Sequence, residues 1–488
     1  MASSRSSNAP TSENSPHISG NAAKNTALIV TLMACNYVAG FTETMMNSAL
    51  VKLSDALGVE LTAANWTVVG FTIMAAVTIT TSEFLLKRLG LKRVMLLAMT
   101  AQVVGCVLGI VASLACRELW LFVLGRLFQA VTTGLCFPVV TSALLQLAPA
   151  GKAGTLISTN SAAIAVGTST APLISGFMLD TFGLAALYAV PLVLALALLL
   201  AAARFVHNLF PRENRAGDYG SLVLSAVALT LFIYGLSLIT KDLTLGALFT
   251  VAGVAVAAAF VLYERARKRR GKTVLLDLDA LKLPSFSLAV VQVMCVMVCE
   301  AALLVLLPLY FEKAGDTSSF EAGALLVGPA LVYAAMSFVS GKLYDVHGFW
   351  PLVTAGCAFG AIGLALVALV APTRSPQLVA LIAVVAFAGI GLAYPAIKVT
   401  ELKPLAPSQD AAGSAINSTS IQVANSCGQA LFVGVFSSVA AARMAAHNAE
   451  AAAWAEGFQV ALIIACCLVA AAALISFIYA RKLYKKGA

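Results

Sequence analysis

Three charged side chains stand inside long apolar runs: Glu43 in FTETMMNSAL, Arg126 in RLFQAVTTGLCFP and Glu300 in CVMVCEAALL. A charge in such a setting costs ~2.5–3.5 kcal/mol on insertion scales, so an ion or substrate pathway is its default explanation. A carboxyl that passes between a dry and a wet environment can bind and release a proton in each cycle, which is the chemistry Glu43 offers. Arg126 offers a switchable partner for it, with a static bridge between two helices as the plainer alternative. Glu300 offers a second protonation site or an attractor for a cationic substrate. Cys295 and Cys299 are spaced i, i+4 beside Glu300, but no histidine is near, so packing is favoured over a metal site and no metal is expected.

Uncharged polar and soft side chains accompany these three. Asn47, Gln129, Asn417, Gln422 and Asn425 can hydrogen-bond a small-molecule substrate, and interhelical bonding is an equal alternative for each. Met46 and Met297 suit a permissive apolar cavity, though methionine facing lipid is the ordinary case. Glu83 stands beside Lys87 and Arg88, where a structural ion pair is favoured over a gating one.

The elements that must position these residues follow from composition. Of the 488 residues, 60% are hydrophobic and 11% charged, whereas soluble domains are about 45–50% apolar and about 25% charged. A soluble enzyme, a nucleic-acid-binding module and a disordered scaffold are excluded, and the period-two alternation of a β-barrel is missing. What remains is an all-α polytopic membrane protein. Runs long enough to cross ~30 Å of hydrocarbon are expected near 27–52, 61–86, 94–115, 119–147, 154–180, 184–207, 219–240, 244–263, 286–311, 321–341, 350–371, 377–398, 413–441 and 459–480. Counted from the outer ends of these runs at 1.5 Å per residue, Glu43 lies ~13 Å deep and Arg126 ~10 Å, so an ion pair between them is geometrically open.

Residues 1–26 read as a disordered cytoplasmic tail. Charge sets the orientation. With both termini cytoplasmic, 24 of the 31 basic residues face inward, among them the run 265–272 and the C-terminal lysines, and Arg126 alone stays within a span. That sorting explains the net charge of +9 through topology and an anionic lipid leaflet, with no nucleic-acid partner. The run 265–272 and the following LLDLDALKLP read as an interfacial linker. The ten cysteines lie mostly in apolar runs and read as packing residues.

Internal matches recur at nearly one offset. Residues 82–90 (SEFLLKRLG) align with 340–348 (SGKLYDVHG), Gly154 with Gly413, and Glu43 with Glu300. Two parallel six-span halves, 27–210 and 273–488, then flank an insertion of two helices and a basic loop at 211–272. Parallel repeats around a midplane cavity are a transporter design.

At this point the chain resembles the major facilitator superfamily, and within it the fourteen-span drug/proton antiporter branch. GTSTAPLISG (Gly167–Gly176) is similar to the antiporter pattern GxxxGPxxGG, with Gly167, Pro172 and Gly176 in place. RLFQA keeps Arg126 and Gln129 of the RxxQG run. FTETMMNSAL is close to D-x-T-x-x-N-x-A-L, but Thr42 holds the acid position and Glu43 follows it. In the loop after span two, Arg88 and Gly90 remain while Lys87 replaces the acid and Glu83 the first glycine. The second copy keeps Gly341, Asp345 and Gly348. Trp66 and Asp218-x-Gly220 also look like this branch.

The resemblance implies a major facilitator fold of two six-helix halves plus two inserted helices, working by alternating access in the plasma membrane. It implies proton-driven export of hydrophobic or cationic drug-like compounds, with Glu43, Arg126 and Glu300 as the coupling set. Gly167, Pro172 and Gly176 would form a hinge, and Glu83, Arg88, Gly90, Gly341, Asp345 and Gly348 the cytoplasmic gate. Export of one specific metabolite or lipid-like molecule is the alternative. A membrane-embedded sensor or enzyme is the remote one, since no catalytic cluster or output domain is visible. No phosphate loop is present, so ATP is not expected as the energy source. The expected partners are a small molecule, the proton and the bilayer, with no bound cofactor, and the chain is read as a monomer.

Overall fold

The computed structural model describes residues 22–46, 49–149, 151–213, 218–239, 242–446 and 449–484. These are almost wholly helical, as they must be where lipid offers the backbone no hydrogen bonds. The first half holds α1 (Ala22–Thr44), the short α2 (Leu50–Leu57) and α3 (Leu61–Ala64), then α4 (Trp66–Leu89), α5 (Leu91–Val111), α6 (Leu119–Leu147), α7 (Ala153–Phe182) and α8 (Leu184–Phe205). The inserted pair is α9 (Tyr219–Leu238) and α10 (Leu243–Arg269). The second half is α11 (Pro284–Lys313), α12 (Ser319–His347), α13 (Phe349–Val370), α14 (Pro376–Leu402), α15 (Asp410–Ala445) and α16 (Glu450–Tyr484). Among the described residues 14 helices are long and apolar enough to cross a membrane.

The two halves repeat the same packing. α1 lies on α7, α6 and α8 as α11 lies on α15, α14 and α16, while α4 meets α6 as α12 meets α14. The aligned loops share a device: Gly90 (φ 81°) and Gly348 (φ 75°) each end one helix and start the next in a conformation open to glycine. Because 14 is even, α1 begins and α16 ends at one end of the bundle, called here the terminal side.

Helix boundaries depart from expectation at three places. The first span stops at Thr44 and does not run to 52; α2 and α3 follow as short pieces. The basic run divides: Arg265–Arg269 form the end of α10, where cations suit the negative end of the helix dipole, and only residues 270–272 lie in the connection that follows. After it, Leu275, Leu276 and Ala280 tuck into a cluster with Phe260 and Phe286. Lys268 and Lys282 clasp Asp279 at 2.7 Å each, holding its carboxyl below the usual carboxylate range. Finally, α14 continues past residue 398 to Leu402.

The inserted pair is zipped by small residues. A Cβ on Gly235, Gly246 or Gly253 would overlap the facing backbone, the close approach that membrane helices use in place of a hydrophobic drive. Trp66 of α4 stacks on Tyr234 of α9 at 5.3 Å, seating the pair on the first half. Asp242 starts α10 by accepting from the Thr244 and Leu245 amides, both at 3.0 Å.

Candidate functional site

The early stop of α1 shapes the site. The last carbonyls of a helix have no partner within it, and here they are buried beside α6. Arg126 supplies what they lack. Its Nη1 donates to the Thr42 carbonyl at 2.7 Å and to Gln129 Oε1 at 3.0 Å, its Nε to the Thr67 carbonyl at 3.2 Å, and its Nη2 reaches the Glu43 carbonyl at 3.5 Å. The guanidinium lies 4.0 Å from the Phe71 ring centre, and the residue is 0% exposed. The expected ion pair between Glu43 and Arg126 side chains is therefore not formed. Arg126 divides its donors among the C-terminal turn of α1, the Thr67 carbonyl of α4 and Gln129.

With Arg126 so engaged, the Glu43 carboxylate turns to the other half. Gln422 of α15 donates to it at 3.1 Å. Glu300 of α11 sits within electrostatic range of Glu43, of Tyr333 of α12 and of Tyr394 of α14. Two acids, one from each half, thus lie within electrostatic range of each other, and Gln422 bonds one of them from across the halves.

The other polar residues divide. Gln129 is a buried holder, accepting from Arg126 and donating to Cys106. Asn425 is half-buried on α15, three residues beyond Gln422. Asn417 is fully buried and donates to Glu401 at 2.5 Å, away from Glu43. Asn47 lies outside the described residues. Met46 (1% exposed) and Met297 (2%) are enclosed in core clusters, so neither lines an open cavity. Cys299 donates to the Ala465 carbonyl, a packing role.

On the terminal side the halves are clamped. Asp345, at the end of α12, accepts from the Gly154 amide at 2.9 Å, the Thr155 amide at 2.8 Å and the Thr155 hydroxyl at 2.6 Å. It caps the N-terminus of α7 from across the halves, satisfying orphan amides and meeting the positive end of the helix. Gly341 permits this closeness, since a Cβ there would overlap Gly154 and Ser158. Glu83 pairs with Lys87 at 2.7 Å and accepts from the Asp277 amide at 2.8 Å, tying α4 to the loop before α11. Arg88 is exposed beside the Phe84 ring. In the hinge segment, Gly167 lies against the backbone of Tyr37 and Phe41, whereas Gly176 faces open space. Pro172 sits inside an α7 that runs unbroken from Ala153.

Lys398 (3% exposed) and Glu401 (0%) escape the sequence reading. Ending the span at 398 treats both as loop charges, but Ile397, Val399 and Leu402 continue the buried helix around them. That apolar interleaving was the available signal. Lys398 and Glu401 thus join Arg126 as fully enclosed charges within the spans.

The family model described as Major Facilitator Superfamily matches residues 32–429, and the chain belongs to that family. It is similar to the "Lincomycin resistance protein LmrB" of Listeria innocua, 23% identical over 84% of this chain and 86% of the relative. It is 24% identical to the "Multidrug resistance protein B homolog" of Mycobacterium tuberculosis, over 75% of this chain and 68% of the relative. The "Riboflavin transporter RibZ" of Clostridioides difficile is 22% identical, over 71% and 74%. Among solved structures, the proton:xylose symporter XylE matches with a TM-score of 0.62 at 17% identity, covering 94% of this chain and 96% of that one. The human organic anion transporter MFSD10 matches at 0.62 and 13%, covering 91% and 99%. These likenesses carry the fold.

Proposed function

We propose that this member of the superfamily is a proton-coupled antiporter that exports hydrophobic or cationic drug-like compounds across the plasma membrane, with its terminal side cytoplasmic. One observation carries the reading: the Glu43 carboxylate of one half is held at 3.1 Å by Gln422 of the other, with Glu300 of that half within its electrostatic range. Two like charges within electrostatic range of each other disfavour double ionisation. Binding a cation, or a proton, relieves them, so substrate and proton compete for the same acids. That competition is the elementary requirement of exchange, and the energy source is the proton gradient.

Alternating access supplies the rest. The Asp345 clamp holds the terminal side shut, and rocking of one half against the other exchanges which side is open. The basic residues near the terminal side support its cytoplasmic placement, and the relatives named for lincomycin and multidrug resistance support export of foreign compounds. Collapsing the proton gradient in inside-out vesicles should abolish dye accumulation; accumulation that persists would sink the coupling. A relative named as a riboflavin transporter favours a second reading, export of a single metabolite by the same machinery. A panel of unrelated cationic dyes separates the two.

A further inference from the structure

The inserted pair leaves a slot against the second half. α9 packs on both α4 and α15, whereas α10 packs chiefly on α9 and meets the second half through the connection that follows it. Between them lies a cavity of about 310 Å³, roughly twice the ~150 Å³ that takes a benzene. Phe232 of α9, Val254 of α10, Met294 of α11 and Val423 of α15 wall it, and Phe260 and Leu276 close it toward the terminal side. Three hydroxyls in the wall are already spent. Thr80, Ser225 and Thr419 each donate back to a carbonyl of their own helix, at 2.7, 3.0 and 2.8 Å. No charged side chain lines the slot, so it takes hydrocarbon and penalises a polar group. Val254 is 53% exposed, and the slot opens sideways to the bilayer. Apolar walls forfeit dispersion contacts unless hydrocarbon lies against them.

Charge continues the same helix face. Val254, Ala257 and Val261 line the slot, and Arg265 and Arg269 follow Val261 at successive steps of four residues. From Val261 the helix advances about 6 Å to Arg265 and about 12 Å to Arg269, toward the terminal side. Other cations of the run are committed. Arg267 pairs with Asp218 at 2.8 Å and donates to the Thr273 carbonyl at 2.9 Å. Lys268 pairs with Asp277 at 2.5 Å and with Asp279 at 2.7 Å. Those acids are thereby neutralised, and Glu264 is buried, accepting from the Leu275 amide at 3.3 Å. Arg265, Arg269, Arg270 and Lys272 are exposed and form no ion pair among the described residues. Four such cations at the end of an apolar slot complement a molecule that is anionic at one end and hydrocarbon at the other.

We propose that this slot binds an anionic membrane lipid, with one acyl chain between α10 and α15 and the phosphate on Arg265 and Arg269, flanked by Arg270 and Lys272. The chain joins the inserted pair to α15 by a fluid contact in place of interlocking side chains. The pair can then stay seated on α4 while the second half moves. This site does not depend on proton coupling.

Photocrosslinking of the full-length protein in dodecyl maltoside micelles tests this, with a phosphatidylglycerol that carries a diazirine at mid-chain. Label should concentrate on residues 254–261 of α10 and 416–423 of α15. Unlabelled phosphatidylglycerol should displace it at least roughly tenfold more effectively than phosphatidylcholine with the same chains. Arg265→Gln, Arg269→Gln, Arg270→Gln and Lys272→Gln together should erase that preference. Ala257→Trp, which fills the slot, should remove most of the label from α15. The four exposed changes leave the packing untouched, and serve if Ala257→Trp does not fold. Label spread evenly over the lipid-facing helices, or equal displacement by the two lipids, would overturn the proposal. So would displacement by ethidium and not by phosphatidylglycerol, which would give the slot to a transported compound.

Discussion

The Glu43 carboxylate accepts from Gln422 at 3.1 Å, a bond that joins the end of α1 in one half to the middle of α15 in the other. In the proposed exchange cycle it is a tie between bodies that must move apart. A hydrogen bond to a charged group contributes about 1.5–3 kcal/mol. Gln422→Leu should therefore shift the conformational equilibrium by that order. Spin-label distances between α3 and the start of α16 would show it as a broadened, shifted distribution, and a distribution matching the parent's would count against the tie.

Asp345 does the corresponding work on the terminal side. Removing a cap costs about 1 kcal/mol and the helix-dipole contact up to about 1 kcal/mol more. In a cysteine-free background, Ser158→Cys should be protected in the parent and react roughly 5–30-fold faster with a water-soluble thiol reagent once Asp345→Ala is added. Unchanged reactivity would mean that the α7–α12 contact is held by packing alone.

Arg126 divides a charge role from a capping role. Were its positive charge all that mattered, lysine would serve. The fork that spans the Thr42 and Thr67 carbonyls and Gln129 cannot be rebuilt by an ammonium. Arg126→Lys should cost about 2–4 kcal/mol of stability and show a lowered melting temperature together with weak transport. A variant as stable as the parent would return Arg126 to a purely electrostatic part.

In the α7 hinge, Gly167→Leu should disrupt folding or stop efflux, because a side chain there meets the α1 backbone at Tyr37 and Phe41. Gly176→Leu, facing open space, should express and transport close to the parent. Equal outcomes at the two positions would remove the distinction between them.

Much of this molecule was legible from residue types. Apolar runs gave fourteen spans, and the offset shared by Glu43 with Glu300 and by residues 82–90 with 340–348 anticipated helix packing that repeats between halves. Asp345 entered the reading only through the family pattern, with a solvated loop charge as the alternative, and its cap on α7 came from the structure. What stayed hidden were helix ends. Hydropathy does not mark a stop at Thr44 within FTETMMNSAL, so the partner of Arg126 was taken to be a side chain and turned out to be a row of carbonyls. Nor does it mark the continuation of α14 through Lys398 and Glu401, since a charge near the end of an apolar run reads as loop until its neighbours are seen to be buried. Met46 and Met297 could not be assigned for a similar reason: type says soft and apolar, but only packing says enclosed.

The most direct test of the central claim is substrate-dependent proton flux in reconstituted vesicles, with parent and Glu43→Gln measured side by side. The account predicts proton movement coupled to dye transport in the parent. In Glu43→Gln it predicts loss of both that movement and uphill transport. Parent-like proton flux and uphill transport in Glu43→Gln would contradict it.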